Sequence, residues 1–312
     1  MNALEVDSIT KVVGQRIILE DISFKVGKSR IHGLLGPNGA GKTTTMRILS
    51  GLSNPARGSV RLDGIDIKNY RENLFQKIGF LIEEPPLYRD MLVHDYLKFV
   101  ARLRKVPAEQ LEARLDYCYQ ELDLGQVKNR LIENLSRGFK QRVGIAQAII
   151  HNPEIVILDE PNLGLDPKSM SEIRDLIQQL RGNHTVIVSS HLLHEMSLVC
   201  DDITIISQGK ILQSGELKKL QRSLKASQSF TLKMVQQNLD FETLLRKDSR
   251  ILDFSMLKKK ESCEYHITAE SMSELRPDIV TMAVGVNAQI IGLEKDFFNL
   301  EDYFLKVTES HD

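Results

Sequence analysis

The architecture turns on "GPNGAGKT", residues 36–43. A short apolar run, Ile31 to Leu35, precedes it, and Thr43 to Leu49 reads as a helix stopped by Gly51. In that strand-to-helix setting the pattern G-x-x-x-x-G-K-[ST] carries a mechanism. Gly36, Gly39 and Gly41, with Pro37, Asn38 and Ala40 between them, let backbone N–H groups curl around phosphate, and the helix N-terminus adds positive potential. Lys42 reaches the β and γ oxygens, the Thr43 hydroxyl holds Mg²⁺, and Thr44 completes the phosphate-facing set.

On the N-terminal side, Ala3 to about Lys28 alternates as strands do, most clearly in "IILEDISFKV". On the other side, "GSVRLDGIDI" reads as a hairpin about Asp63-Gly64. Val93 to about Leu124 is helical in pattern, with Tyr96, Phe99, Val100 and Leu103 on one face. Ser136 caps a helix whose apolar face is Phe139, Val143, Ala146 and Ile149/Ile150, ended by Asn152-Pro153. Two buried strands, "EIVILD" and "TVIVSS", flank the amphipathic run Ser169 to Leu180, an order that argues for a parallel sheet with crossover helices.

Past about Gly215 the text changes character. "SFTLKMV", Phe241 to Lys247, "ILDFSML", "CEYHIT", Met272 to Val284 and "AQIIGLE" read as a split βαβ, ferredoxin-like unit, and Leu300 to Val307 as a following helix.

Composition excludes several classes. With 41 basic against 42 acidic residues, no nucleic-acid partner is expected, and the Lys258 to Lys260 run reads as a solvated hairpin tip. Cys118, Cys200 and Cys263 share no metal-ligand spacing and read as inert thiols in a reducing compartment. No apolar stretch approaches the ~20 residues needed to span a bilayer, and the N-terminus has no leader pattern, so a cytoplasmic place is expected.

Asp159 and Glu160 follow the apolar "IVIL", at the strand end where open α/β sheets bind ligands. Asp159 is the candidate Mg²⁺ ligand and Glu160 the candidate general base. His191 ends the next strand, whereas His194 and Glu195 read as polar helix-face residues. A second phosphate-suited helix N-terminus, with Ser136 and Gly138, is redundant within one domain. Supplied by another copy, it makes the nucleotide the glue between two subunits.

"GPNGAGKTT", "LSRGFKQR", "VILDEPNLGLDP" and the histidine of "SSHLLHEM" resemble the Walker A, signature, Walker B with D-loop, and H-loop of an ATP-binding cassette (ABC) ATPase, in that family's order. "IGFLIEEPPLY", "QRVGIAQAII" and "NLEDYFLKVT" resemble the branch whose lone cassette serves separate membrane subunits, mostly exporters. The resemblance implies an α/β P-loop NTPase cassette over residues 1–220, with an antiparallel β subdomain and a helical subdomain at about 84–152. Residues 221–312 then form a small α+β ferredoxin-like domain.

It further implies a homodimer or heterodimer of cassettes in which Ser136 and Gly138 of one close on ATP held by the other. Asp166 would line the seam and His191 would contact the γ-phosphate. The cassette would sit at the cytoplasmic face of the membrane through a separately encoded permease. Three departures stand out. Arg137 and Phe139 replace the common Gly and Gln of the signature. Glu83 falls at the Q-loop glutamine, facing Mg²⁺ without an amide donor. Val13 falls at the base-stacking aromatic, leaving Arg16 or a C-terminal ring as alternative base partners. A soluble non-transport ABC ATPase and an ATP-binding regulatory subunit are the competing readings.

Overall fold

The computed structural model describes residues 2–70, 74–82, 85–225, 227–259, 262–270 and 274–296. Glu83, the expected helix Leu300 to Val307 and the start of the run Met272 to Val284 lie outside them. The chain groups into two compact units, divided after Leu217.

The first unit starts with β1 (Asn2–Val13), β2 (Arg16–Gly27) and β3 (Ile31–Leu35). The phosphate-type loop then opens α1 (Lys42–Leu49). Next come β4 (Arg57–Leu62), β5 (Ile65–Asp66), α2 (Ile67–Tyr70), α3 (Leu74–Lys77) and β6 (Ile78–Leu81). A helical stretch follows, with α4 (Val93–Leu103), α5 (Leu111–Glu121) and α6 (Arg137–Ile149). The unit closes with β7 (Ile155–Asp159), α7 (Pro167–Leu180), β8 (Thr185–Ser190), α8 (Leu193–Ser197), β9 (Asp202–Ser207) and β10 (Lys210–Glu216). The helix α9 (Leu217–Lys225) spans the division.

Two sheets share one core. An antiparallel sheet in the order β2-β1-β4-β5 faces a six-stranded sheet in the order β10-β9-β3-β8-β7-β6, parallel except at the β10 edge. Every residue of β3, β7 and β8 is buried, as expected of parallel strands covered on both faces. Met46, Ile48 and Leu49 of α1 join Leu4, Ile22 and Phe24 of the first sheet to Leu34, Ile155 and Ile187 of the second. The loop before α1 is therefore clamped at the strands' C-terminal end.

The expected single helix from Val93 to Leu124 is two. Arg104 to Gln110 interrupts it, with Pro107 unable to donate a helical hydrogen bond and Lys105 at φ 58°. The buried stripe of α4 is Val93, Tyr96, Leu97, Val100 and Ala101, so Phe99 (41% exposed) and Leu103 (68%) face outward, contrary to the face read from periodicity. The second strand of the Asp63-Gly64 hairpin is only two residues long, because the chain enters α2 directly. No helix among the described residues is long and apolar enough to cross a membrane.

The second unit runs β11 (Ser227–Met234), α10 (Leu239–Lys247), β12 (Ile251–Lys258), β13 (Cys263–Glu270), α11 (Arg276–Gly285) and β14 (Ile290–Asp296). Its sheet order, β12-β13-β11-β14 with antiparallel neighbours, is the ferredoxin-like arrangement of a split βαβ. It has its own core, with Phe230, Leu232, Phe241, Tyr265 and Ile267 at the centre.

Candidate active site

The loop from Gly36 to Gly41 is glycine-rich for steric reasons. A Cβ on Gly36 would lie 2.2 Å from the Ile206 carbonyl oxygen, and Gly41 takes φ +107° with Leu19 2.5 Å from where its Cβ would be. The tight loop leaves backbone N–H groups at the mouth of α1. Lys42, 6% exposed, folds back so that its Nζ donates to the carbonyls of Gly36 (2.9 Å) and Pro37 (3.2 Å). Ala40 is buried beneath the loop.

Adjacent parallel strands bring the acids and the histidine together. Asp159 at the end of β7 is in register with Ser189 of β8, and Glu160 and His191 lie just beyond. Glu160 Oε1 is 3.2 Å from Lys42 Nζ, an ion-pair contact without hydrogen-bond geometry, and Oε2 is 2.9 Å from His191 Nδ1. Glu160 itself takes φ 46°, a left-handed conformation unusual for a residue with a side chain. The Ser189 hydroxyl, fully buried, donates to Asp159 Oδ1 and accepts from the Glu160 N–H at 2.9 Å. Asp159 is also fully buried, and its Oδ2 has no hydrogen-bond partner among the described residues.

A cavity of about 370 Å³ collects these groups: Asn38, Gly39, Gly41, Lys42, Thr43, Thr44, Glu160 and His191 line it, together with Ile18 and Leu163. Ile18, Leu163 and Ser189 are additions to the sequence reading. Only Ser189 had a signal, two serines ending an otherwise apolar strand. Val13, 58% exposed opposite Arg16 in the β1–β2 hairpin, is not among the lining residues.

Ser136 and Gly138 do not line the cavity either; they sit at the N-terminus of α6. The Ser136 side chain caps the helix, accepting from the Phe139 N–H at 3.4 Å, and Gly138 packs on Ser169. Asp166 caps α7, accepting from the N–H groups of Lys168 (3.1 Å) and Ser169 (3.0 Å). The Ser169 backbone bond, foremost, holds its carboxyl below the usual carboxylate range. Of the polar residues set aside in the sequence, Glu195 pairs with Arg174 at 3.1 Å.

This set suits phosphoryl transfer. It offers backbone donors and a lysine for phosphate oxygens, a hydroxyl and a carboxylate for a cation, and a second carboxylate held by a histidine.

A family model described as ABC transporter matches residues 19–163. The chain is similar to the uncharacterized ABC transporter ATP-binding protein YhcH of Bacillus subtilis, with 32% identity covering 98% of this chain and 95% of the relative. It is equally similar to the bacitracin transport ATP-binding protein BcrA of Enterococcus faecalis, with 32% identity covering 97% and 96%. A solved structure of an ATP binding subunit of an ABC transporter matches with a TM-score of 0.64 at 28% identity, covering 71% of this chain and 92% of that one.

Proposed function

This chain belongs to the family of ABC transporter ATP-binding proteins, and we propose that two cassettes close head to tail on two ATP molecules to drive transport through a separately encoded membrane subunit. It binds nucleotide and hydrolyses ATP, as that family does. The proposed direction is outward, and the proposed place is the cytoplasmic face of the membrane. The observation that carries the mechanism is the Glu160 carboxylate, held between Lys42 and His191 in a cavity floored by the glycine loop.

Incoming β and γ phosphates draw Lys42 from Glu160 and the Gly36 carbonyl, and the loop N–H groups replace solvent around the phosphate oxygens. Asp159, whose buried Oδ2 has no hydrogen-bond partner among the described residues, and Thr43, which lines the cavity, are the residues that would hold Mg²⁺ in this reading. Mg²⁺ there would neutralise charge on the β and γ oxygens. Glu160, released from Lys42, accepts a proton from the attacking water, while His191 orients the carboxylate and faces the γ-phosphate. Ser136 and Gly138 of the second copy complete the site. Residues 1–220 form the catalytic domain in this reading and 221–312 a second domain governing dimer contacts or regulation.

Glu160→Gln tests it: the variant binds ATP but does not hydrolyse it, so size-exclusion chromatography with ATP and Mg²⁺ shows a dimer. A variant that remains monomeric at high concentration, alone or with its membrane partner, refutes the two-copy site.

A further inference from the structure

Arg137 stands, exposed, between Ser136 and Gly138. The guanidinium makes no ion pair, hydrogen bond or ring contact among the described residues. Its neighbour Arg142, by contrast, bonds Asp123 at 3.2 Å and Glu172 at 2.6 Å. Arg137 is also the first residue of α6, whose first turn carries no acidic side chain, so its charge has the wrong sign for the helix dipole. At this exposed position the mismatch with the dipole is small, and a bound anion would reverse it.

The resting place of the side chain is equally specific. It lies on the backbone of Gly164, at φ +67°, where a Cβ would come within 2.3 Å of a guanidinium nitrogen. Leu163, one residue earlier, is a wall of the nucleotide cavity and also of a second cavity that Arg137 lines with Arg89, Lys140 and Gln141. Gln141 is 7% exposed as a residue, and its carboxamide makes no hydrogen bond among the described residues. Arg137 is not among the residues lining the nucleotide cavity of its own chain.

We propose that Arg137 is a further catalytic residue acting between copies: its guanidinium leaves Gly164 and binds a terminal-phosphate oxygen of the ATP held by the second copy. The proposal rests on the two-copy site described above. In the hydrolytic step the water oxygen bonds to the γ-phosphorus as the bond to the β-bridging oxygen breaks, and the water proton passes to Glu160. Arg137 exchanges no proton; it neutralises charge on the equatorial oxygens with two donors of its fork.

The first measurement uses full-length Glu160→Gln with ATP and Mg²⁺, in analytical sedimentation. Adding Arg137→Ala weakens dimerisation about tenfold to a hundredfold, and Arg137→Lys, which keeps the charge without the fork, weakens it less. ATP binding by the dilute monomer stays as before. Unchanged dimerisation overturns the proposal, whereas a Glu160→Gln chain that never dimerises overturns the two-copy reading beneath it.

The second measurement separates action on the partner from action within the chain. Arg137→Ala is mixed with Lys42→Ala, whose own phosphate loop is disabled but whose Arg137 is intact. In a large excess of Lys42→Ala, where nearly every Arg137→Ala or wild-type chain sits in a mixed dimer, the ATPase matches that of wild type diluted into the same excess, since each mixed dimer then holds one whole composite site. Activity below that reference places the defect in the residue's own chain and overturns the proposal.

Discussion

One hydroxyl on Ser189 ties both acids of the site together. It donates to Asp159 Oδ1, which leaves Oδ2 as the free oxygen, and it accepts from the N–H of Glu160, whose left-handed backbone needs an anchor. Ser189→Ala is expected to lower kcat about tenfold to a hundredfold and to weaken Mn²⁺ binding, followed by electron paramagnetic resonance, while metal-free ADP binds as before. Ser189→Thr should restore part of both. Equal loss of metal-free ADP binding would mean general damage to the strand. Ile18 also lines the cavity, and no Phe, Tyr or Trp is among its described lining residues. ATP and GTP should therefore compete within about tenfold by calorimetry, the range an absent stacking contact allows. A preference beyond a hundredfold would reveal a base-reading group from elsewhere. The acids, the lysine and the histidine were legible because each ends an apolar strand or opens a helix. Ser189 and Ile18 were not, because their roles come from cross-strand register and cavity shape, which spacing along the chain does not encode.

Elements were legible where a single face or both faces are buried. The wholly buried strands β3, β7 and β8 read correctly because parallel strands under helices have no solvent face to confuse the pattern. The α4 stripe was misread because Phe99 and Leu103, though apolar, fall one position off the buried set, and the break at Pro107 was overrun by a pattern that continues on both sides. β3 also holds His32, 1% exposed, with Nε2 2.9 Å from Thr204 Oγ1 and its ring 5.3 Å from Phe24. Burial, with Arg30 adding to it, pushes this imidazole down to about 4, and burial likewise lowers His151 to about 4. Both are neutral in the fold and protonate near 6.5 when unfolded, so the unfolded chain binds more protons between those values. Stability is full above pH 6.5 and falls toward pH 4, by up to about 1.4 kcal/mol per unit for each group. Urea midpoints at pH 7.5 and 5.5 check this: the drop should shrink in His32→Asn. An undiminished drop would assign the effect to other groups.

At the scale of the whole molecule, each of the two units has a hydrophobic core of its own. The cluster around Leu4, Met46 and Ile157 and the cluster around Phe230, Phe241 and Tyr265 share no residue, so neither unit needs the other's side chains to bury its own. Every proposed catalytic residue, from Gly36 to His191, precedes the division after Leu217. Near Gly215 the text changes, as loop glycines give way to a compact alternation of short strands and helices. Removing everything after Lys225 keeps α9 whole. It also keeps the contact of Leu217, buried, whose N–H donates to the Asp201 carbonyl at 2.9 Å. The shortened chain is therefore expected to stay folded by circular dichroism and to release phosphate from ATP at a rate within a few-fold of the full chain at high protein concentration. Its dependence on concentration is where a difference should show: if the second unit governs dimer contacts, the truncated form needs more protein to reach the same rate. A folded truncation with no activity at any concentration would place the C-terminal unit within the catalytic machinery, and the two-copy site would then need a third contributor.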